Sequence, residues 1–152
     1  MLQYTKRWYL SNCDDTYLGH TERHDIFEDY SYLTIHDCKL ESKIVSEGNL
    51  LLNIDNSGGF CFYNKILLTD FAIKEDSNLE IPYCAADELY RTKDGRFEYH
   101  ILLEKFTEDC EPNIPILEYF TIECGSIHFI GNDYRLDFER DKYVSTQFIL
   151  TE

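Results

Sequence analysis

The sequence predicts a mainly β fold: a single antiparallel meander, curved sheet or sandwich of about eight short strands, with an irregular or partly helical N-terminal segment, residues 1–37, packed on it. Three observations carry this. From residue 38 onward apolar residues alternate with polar ones at a period of two, the spacing of a strand with one wet face. Short turn signals, among them Glu47-Gly48-Asn49 and Asp94-Gly95, separate the alternating runs. The 152 residues are 43% hydrophobic and 15% aromatic, which suits one packed domain over 1–152 and not a disordered chain.

The first element is the least regular. Residues 1–37 are polar, acidic and aromatic without clean periodicity; Thr5–Leu10 fits a helical turn and Thr21–Tyr30 a short helix. In the first strand Cys38, Leu40 and Ile44 take the inward phase against Lys39, Glu41 and Lys43. Glu47-Gly48-Asn49 breaks the run and Leu50, Leu52 and Ile54 resume it, so the two form a hairpin. Asn56-Ser57-Gly58-Gly59 supplies the freedom for the next reversal. Lys65–Ile73 is apolar on both phases, which predicts a central strand covered on both faces. Asp94-Gly95 predicts a two-residue type I′ turn. After it Phe97, Tyr99, Ile101 and Leu103 share one face, and Arg96, Glu98, His100 and Glu104 the other.

Pro112 and Pro115 bracket a loop, because neither can donate to a ladder. Phe120, Ile122 and Cys124 then face inward, Gly125-Ser126 turns the chain into Ile127–Ile130, and Gly131-Asn132-Asp133 turns it into Tyr134, Leu136 and Phe138. Tyr143–Leu150 pairs with an edge. The expected core is Leu40, Leu52, Ile54, Phe97, Tyr99, Ile101, Phe120, Ile122, Leu136 and Phe138.

Charge narrows the functional classes. Fourteen Lys+Arg against 29 Asp+Glu leave a net charge of −15, beyond the magnitude of ~2–8 that suffices for solubility. Such a field repels nucleic acid and steers a basic protein partner. Met1–Leu10 has no secretory apolar stretch, and no run nears the ~18–20 apolar residues of a membrane span, so the expected setting is cytoplasmic, without membrane contact. Cys13, Cys38, Cys61, Cys84, Cys110 and Cys124 are thinly spread with no CxxC, which predicts six free thiols and not a disulfide framework.

No catalytic motif is complete. His20, His24 and Asp25 form H-x-x-x-H-D, but the Glu of H-E-x-x-H is missing and no third ligand is specified, so neither a metal nor a cofactor is expected. His36-Asp37 suggests a dyad, yet neighbours on a strand point to opposite faces, and the expectation is a local hydrogen bond and a capped turn. Asn56-Ser57-Gly58-Gly59 lacks the Lys-Ser/Thr and helix of a phosphate loop. The aromatics just after it, Phe60, Phe62 and Tyr63, form with Tyr83 a candidate contact surface.

Ile35-His36-Asp37-Cys38-Lys39-Leu40, then Gly48-Asn49-Leu50-Leu51-Leu52 and Asp55-Asn56, resemble the opening hairpin of small bacterial proteins classed as domains of unknown function. Tyr4-Thr5-Lys6-Arg7-Trp8-Tyr9 is similar to the start of some members, and Leu40 stands where Ile is usual. The resemblance covers about a third of the chain, implies a mainly β fold, and carries no catalytic residues. Similar small β proteins include immunity proteins that neutralise partner toxins. The leading expectation is therefore a non-catalytic acidic module that binds a basic protein, immunity-like in kind. Two alternatives stand beside it. One is a small-ligand or enzymatic β domain whose pocket, inside the curved sheet, would use His36, His100 or His128. The other is a structural domain with no sharp site.

Overall fold

The structure, a computed structural model, describes residues 26–29, 33–59, 61, 63–92, 94–108, 114–131 and 147–151. A single helical turn, α1 (Ile26–Asp29), precedes nine strands: β1 (Lys39–Ser46), β2 (Asn49–Asp55), β3 (Lys65–Thr69), β4 (Ala72–Glu75), β5 (Tyr83–Arg91), β6 (Phe97–Lys105), β7 (Ile116–Cys124), β8 (Ser126–Ile130) and β9 (Gln147–Thr151). All belong to one antiparallel sheet, in the order β4-β7-β6-β5-β1-β2-β3-β8-β9. The mainly β expectation holds; of the helix expected at Thr21–Tyr30, Ile26–Asp29 is helical and the rest lies outside the described residues, as does Thr5–Leu10.

The sheet has two leaves, β4-β7-β6-β5 and β1-β2-β3-β8-β9, joined where Lys39 of β1 pairs with Tyr83 of β5. One apolar cluster takes residues from both leaves: Leu50, Leu52, Ile66, Leu68, Ile127 and Phe129 meet Leu89, Phe97, Tyr99, Ile101, Phe120 and Ile122. The sheet is thus bent over a shared core, because each leaf has one apolar face that only the other can cover. Of the expected core, Leu40, Leu52, Ile54, Phe97, Tyr99, Ile101, Phe120 and Ile122 are all buried; Leu136 and Phe138 lie outside the described residues.

Four local expectations are corrected. Leu40 pairs with Ile54 but Ser42 with Asn53, so Glu41 is an extra, bulged residue. A bulge shifts the phase of the residues after it; Lys43 turns inward over the Phe120 ring, 4.7 Å away, while Ile44 is exposed. Lys65–Ile73 is two strands, not one. Asp70 takes a left-handed φ of 49° and sends the chain from β3, between β2 and β8, to β4, beside β7. At Asp94-Gly95 only Gly95 has positive φ, and Gly95 N–H donates to Thr92 O and Thr92 N–H to Arg96 O, so the turn closes on Thr92 and Arg96 and is not type I′. Gly125 makes a corner instead of a hairpin: β7 and β8 lie in different leaves, and Gly125 N–H donates to Thr69 O at 2.9 Å.

The outward phase of β6 is not wet throughout. Leu102 packs with Ala85 and Tyr119, and His100 is buried with Nε2 2.7 Å from Glu98 Oε1 and its ring edge-on to Tyr90. No helix among the described residues is long and apolar enough to cross a membrane.

Candidate interaction surface

The seam between the leaves has two unlike ends. On one side of the Lys39–Tyr83 pair the chain stays bonded to β5: Asp37 N–H donates to Cys84 O at 2.9 Å and Cys84 N–H to Cys38 O at 2.8 Å. Beside this turn, whose Asp37 has φ 67°, lies a half-buried polar cluster. The Asp87 carboxylate accepts from Thr34 Oγ1, from Ile35 N–H at 3.0 Å and from Tyr99 OH at 2.7 Å. Burial pushes the Asp87 carboxyl above its ordinary range, although these three donors favour its charged form. Cys38, Cys61 and Cys84 are buried thiols, with the Cys38 and Cys61 sulfurs 3.6 Å apart. Cys13 and Cys110 lie outside the described residues. The Cys61 thiol is pushed up by its neighbour Cys38 and by burial, and the Cys84 thiol by burial, which keeps both protonated and unreactive. Gly58 and Gly59 close the end: a Cβ on Gly59 would stand 2.5 Å from Cys38 Sγ and 2.8 Å from His36 O. No buried side-chain nitrogen or oxygen among the described residues lacks a hydrogen-bond partner.

On the other side the chains part. The last seam bond is Leu40 N–H to Pro82 O, 2.9 Å. Beyond it the Glu41 bulge carries β1 away, and Ile81 takes a φ of 45°, rare for a β-branched residue and unfavourable before a proline. Lys105 Nζ holds that bend by donating to Glu80 O at 2.6 Å. The gap is a groove of about 220 Å³ lined by Leu40–Lys43 and Leu79–Pro82. Ile81 (52%) in its lining is exposed, as are Ile44 (48%) and Val45 (63%) further along β1 and Tyr83 (42%) after Pro82; Phe106 and Ile116 are exposed at the paired ends of β6 and β7. Glu41 and Glu80 are in the groove lining and exposed, and Glu47, Glu75 and Asp76 are exposed on the neighbouring turn and strand.

The lysines of this corner are engaged. Lys43 Nζ donates to Asp76 Oδ1 at 2.7 Å and Ser77 O at 2.6 Å, and Lys39 Nζ lies 5.1 Å over the Tyr83 ring. Partial burial works to raise the Asp76 carboxyl, but Lys43 and the Ser77 N–H outweigh it and hold it below the usual range. The groove lining joins apolar Leu40, Leu79, Ile81 and Pro82 with acidic Glu41 and Glu80.

Of the four aromatics expected to form a contact surface, the two described ones, Tyr63 and Tyr83, do not come together. Tyr83 sits on this corner. Tyr63 does not: it is wholly buried, its OH donating to Leu33 O and its ring 4.9 Å from Phe129. Phe60 and Phe62 lie outside the described residues, as do His20 and His24.

The three histidines do not share a pocket. His36 is exposed at the Asp37 turn, His100 is bonded to Glu98, and His128 on β8 is bonded to Ser126 at 3.3 Å. His36 and Asp37 do approach, at 3.6 Å, against the expectation for strand neighbours, because they lie in a turn where successive side chains need not oppose. Sequence reasoning missed Ile44, Val45 and Ile81. The signal was there in Ile44-Val45, two successive apolar residues just before a turn, where a strand with one wet face allows only one.

No family model, no curated protein and no solved structure matches the chain.

Proposed function

We propose that the chain is a non-catalytic acidic binding module that holds a basic protein, in the manner of an immunity protein and its toxin. The observation that carries this is the open corner of the seam, where β1 and the 79–82 segment part over a groove edged by Glu41 and Glu80, with Ile81 exposed on one segment and Ile44 and Val45 exposed on the other. Apolar anchors ringed by charge are how interfaces divide the work: the anchors set the off-rate and the charges steer the encounter. The net charge of −15 extends the same field to long range. The groove of about 220 Å³ is below the ~300–1,000 Å³ of small-molecule sites, and so favours a protein side chain over a metabolite as its occupant.

The test captures partners on the immobilised chain and on its Tyr83→Ala and Ile81→Asp variants, using lysate of the source cell. The expected partner is a basic protein whose on-rate falls as salt rises, and whose off-rate increases in both variants. A partner bound equally by all three chains, or a neutral small molecule as the sole specific ligand, overturns the reading.

A further inference from the structure

The ladder pattern of β1 bears on how such a partner is held. Ser46 pairs with Asn49 across the two-residue turn Glu47-Gly48, both of positive φ, so Ser46 and Asn49 form a hydrogen-bonded pair. Bonded and non-bonded pairs alternate along an antiparallel ladder. Ser46–Asn49, Ile44–Leu51 and Ser42–Asn53 are therefore the bonded pairs, while Lys43 and Val45 turn their N–H and C=O away from β2. Among the described residues no strand takes up those groups, since β5 pairs with β1 only at Lys39–Tyr83.

An edge with unused donors and acceptors is a template for another strand. Natural edges are protected by prolines, bulges or inward charges; here the bulge comes at Glu41, before the open stretch, the one inward charge, Lys43, is paired with Asp76 at 2.7 Å, and the stretch beyond it presents Ile44 and Val45. From this, and resting on the reading of the chain as an acidic binding module, we infer that the partner contributes an extended basic segment that adds to the sheet as an antiparallel strand along Lys43–Val45.

The added strand would continue the ladder that β5 abandons at Pro82. Side chains on its inward face would enter the groove between Leu40 and Ile81, and basic side chains beside them would meet Glu41, Glu47 and Glu80. A second copy of this chain is a poor occupant, because it would bring another −15 to the same edge.

The probe is a capped peptide of alternating Lys and Val, with an alternating Glu and Val peptide and an N-methylated Lys-Val peptide as controls. Binding is read by affinity and by amide hydrogen exchange on the labelled chain. The expected result is tight preference for the Lys-Val peptide, new protection of the Lys43 and Val45 amides, and unchanged exchange at Ser42 and Ile44. Methylation of the peptide, which removes its donors, should weaken binding about tenfold or more. Val45→Pro should do the same from the protein side, because it deletes an N–H that β2 does not use.

If the methylated peptide and Val45→Pro bind as well as their parents, strand addition is overturned while the charge reading stands. If the acidic peptide binds as well as the basic one, or neither binds, both fail. Protection of Lys43 and Val45 in the free chain overturns the assignment too. Protection that grows with concentration would give the edge to a second copy, and protection at every concentration would give it to the chain itself.

Discussion

The two ends of one seam differ in a single physical respect. At the Asp87 end, each buried polar group meets a partner: three donors converge on one carboxylate, Tyr63 OH reaches Leu33 O, and two glycines let the loop press against His36 and Cys38. At the Ile81 end, β1 and the 79–82 segment separate after Pro82, and backbone groups of Lys43 and Val45 are left facing outward beside exposed Ile44 and Val45. The first end is spent on stability and the second is available for binding. Substitutions should therefore act on different observables at the two ends.

The largest effect should come from Asp87→Ala. It leaves the donors of Thr34, Ile35 and Tyr99 facing an absent acceptor inside the fold, which should cost about 2–4 kcal/mol at the ~1–3 kcal/mol typical of an unsatisfied buried group, since partial relaxation spares some of the three. Ile44→Ala and Val45→Ala should stay within about 0.5 kcal/mol, as exposed substitutions do. Urea melts of the three variants check this. Equal losses at both ends would dissolve the distinction.

Next in size is Gly59→Ala. Its Cβ would meet the backbone oxygen of His36 as well as the Cys38 sulfur, and the backbone cannot swing aside as a side-chain tip can. About 1–3 kcal/mol is expected, the usual range for overpacking. Gly48, at φ 80° with open space around it, provides the contrast: an alanine there meets no atom within 4 Å and loses only on conformation, about 1–2 kcal/mol. Thermal denaturation of Gly59→Ala with and without Cys38→Ala separates the two causes, because shortening Cys38 should recover part of the Gly59 loss and none of the Gly48 loss.

Ile81→Gly tests the open end from the other direction. Releasing a β-branched residue from φ 45° should raise stability by up to about 1 kcal/mol, the left-handed penalty less the added freedom of the unfolded chain. Partner binding should weaken in the same variant, because an exposed anchor is lost. Stability and binding moving together would mean that the bend serves the fold and not the surface.

How far the sequence disclosed this depends on the range of the forces involved. Period-two patterning placed Phe97, Tyr99 and Ile101, and Phe120 and Ile122, in the core, because each strand's alternation is local and survives any strand order. It could not show that Gly125 is a corner between leaves, or that Asp70 sends β4 across to β7, since those are choices of partner made by distant chain. Phase failed at Ile44 for a similar reason: the Glu41 bulge is set by how β1 fits β2, and after one inserted residue every side chain changes face. Of the proposed surface, Tyr83 was legible as an exposed aromatic. Tyr63 was misplaced because an aromatic after a glycine-rich loop reads the same whether it faces water or core. Asp87 was missed altogether, since a carboxylate in an acidic chain gives no local sign that three donors will surround it.

The smallest effect concerns pH, and it bears on the closed end alone. Burial raises the Asp87 carboxyl despite the Thr34, Ile35 and Tyr99 donors, so between its unfolded and folded values the folded chain binds the extra proton. Its contribution to stability is complete below the unfolded value of about 3.9 and is lost as pH rises through the folded one. Glu104, raised by burial and by Asp37 nearby, acts in the same direction, whereas Asp76, held low with Lys43 beside it, gains stability above its unfolded value and loses it as pH falls. These last two groups are common to the wild type and to Asp87→Asn, so the difference between the two stability curves isolates Asp87. Asparagine does not titrate, and its amide still offers an oxygen to the Ile35 N–H. The wild type should therefore lose stability relative to Asp87→Asn on going from about pH 4 to pH 7, read from urea midpoints at each pH. Parallel curves would mean that the carboxyl titrates as in the unfolded chain. The closed end would then be held by apolar packing, with the hydrogen bonds to Asp87 merely accommodated, and the contrast with the open corner would rest on shape and not on matched polar groups.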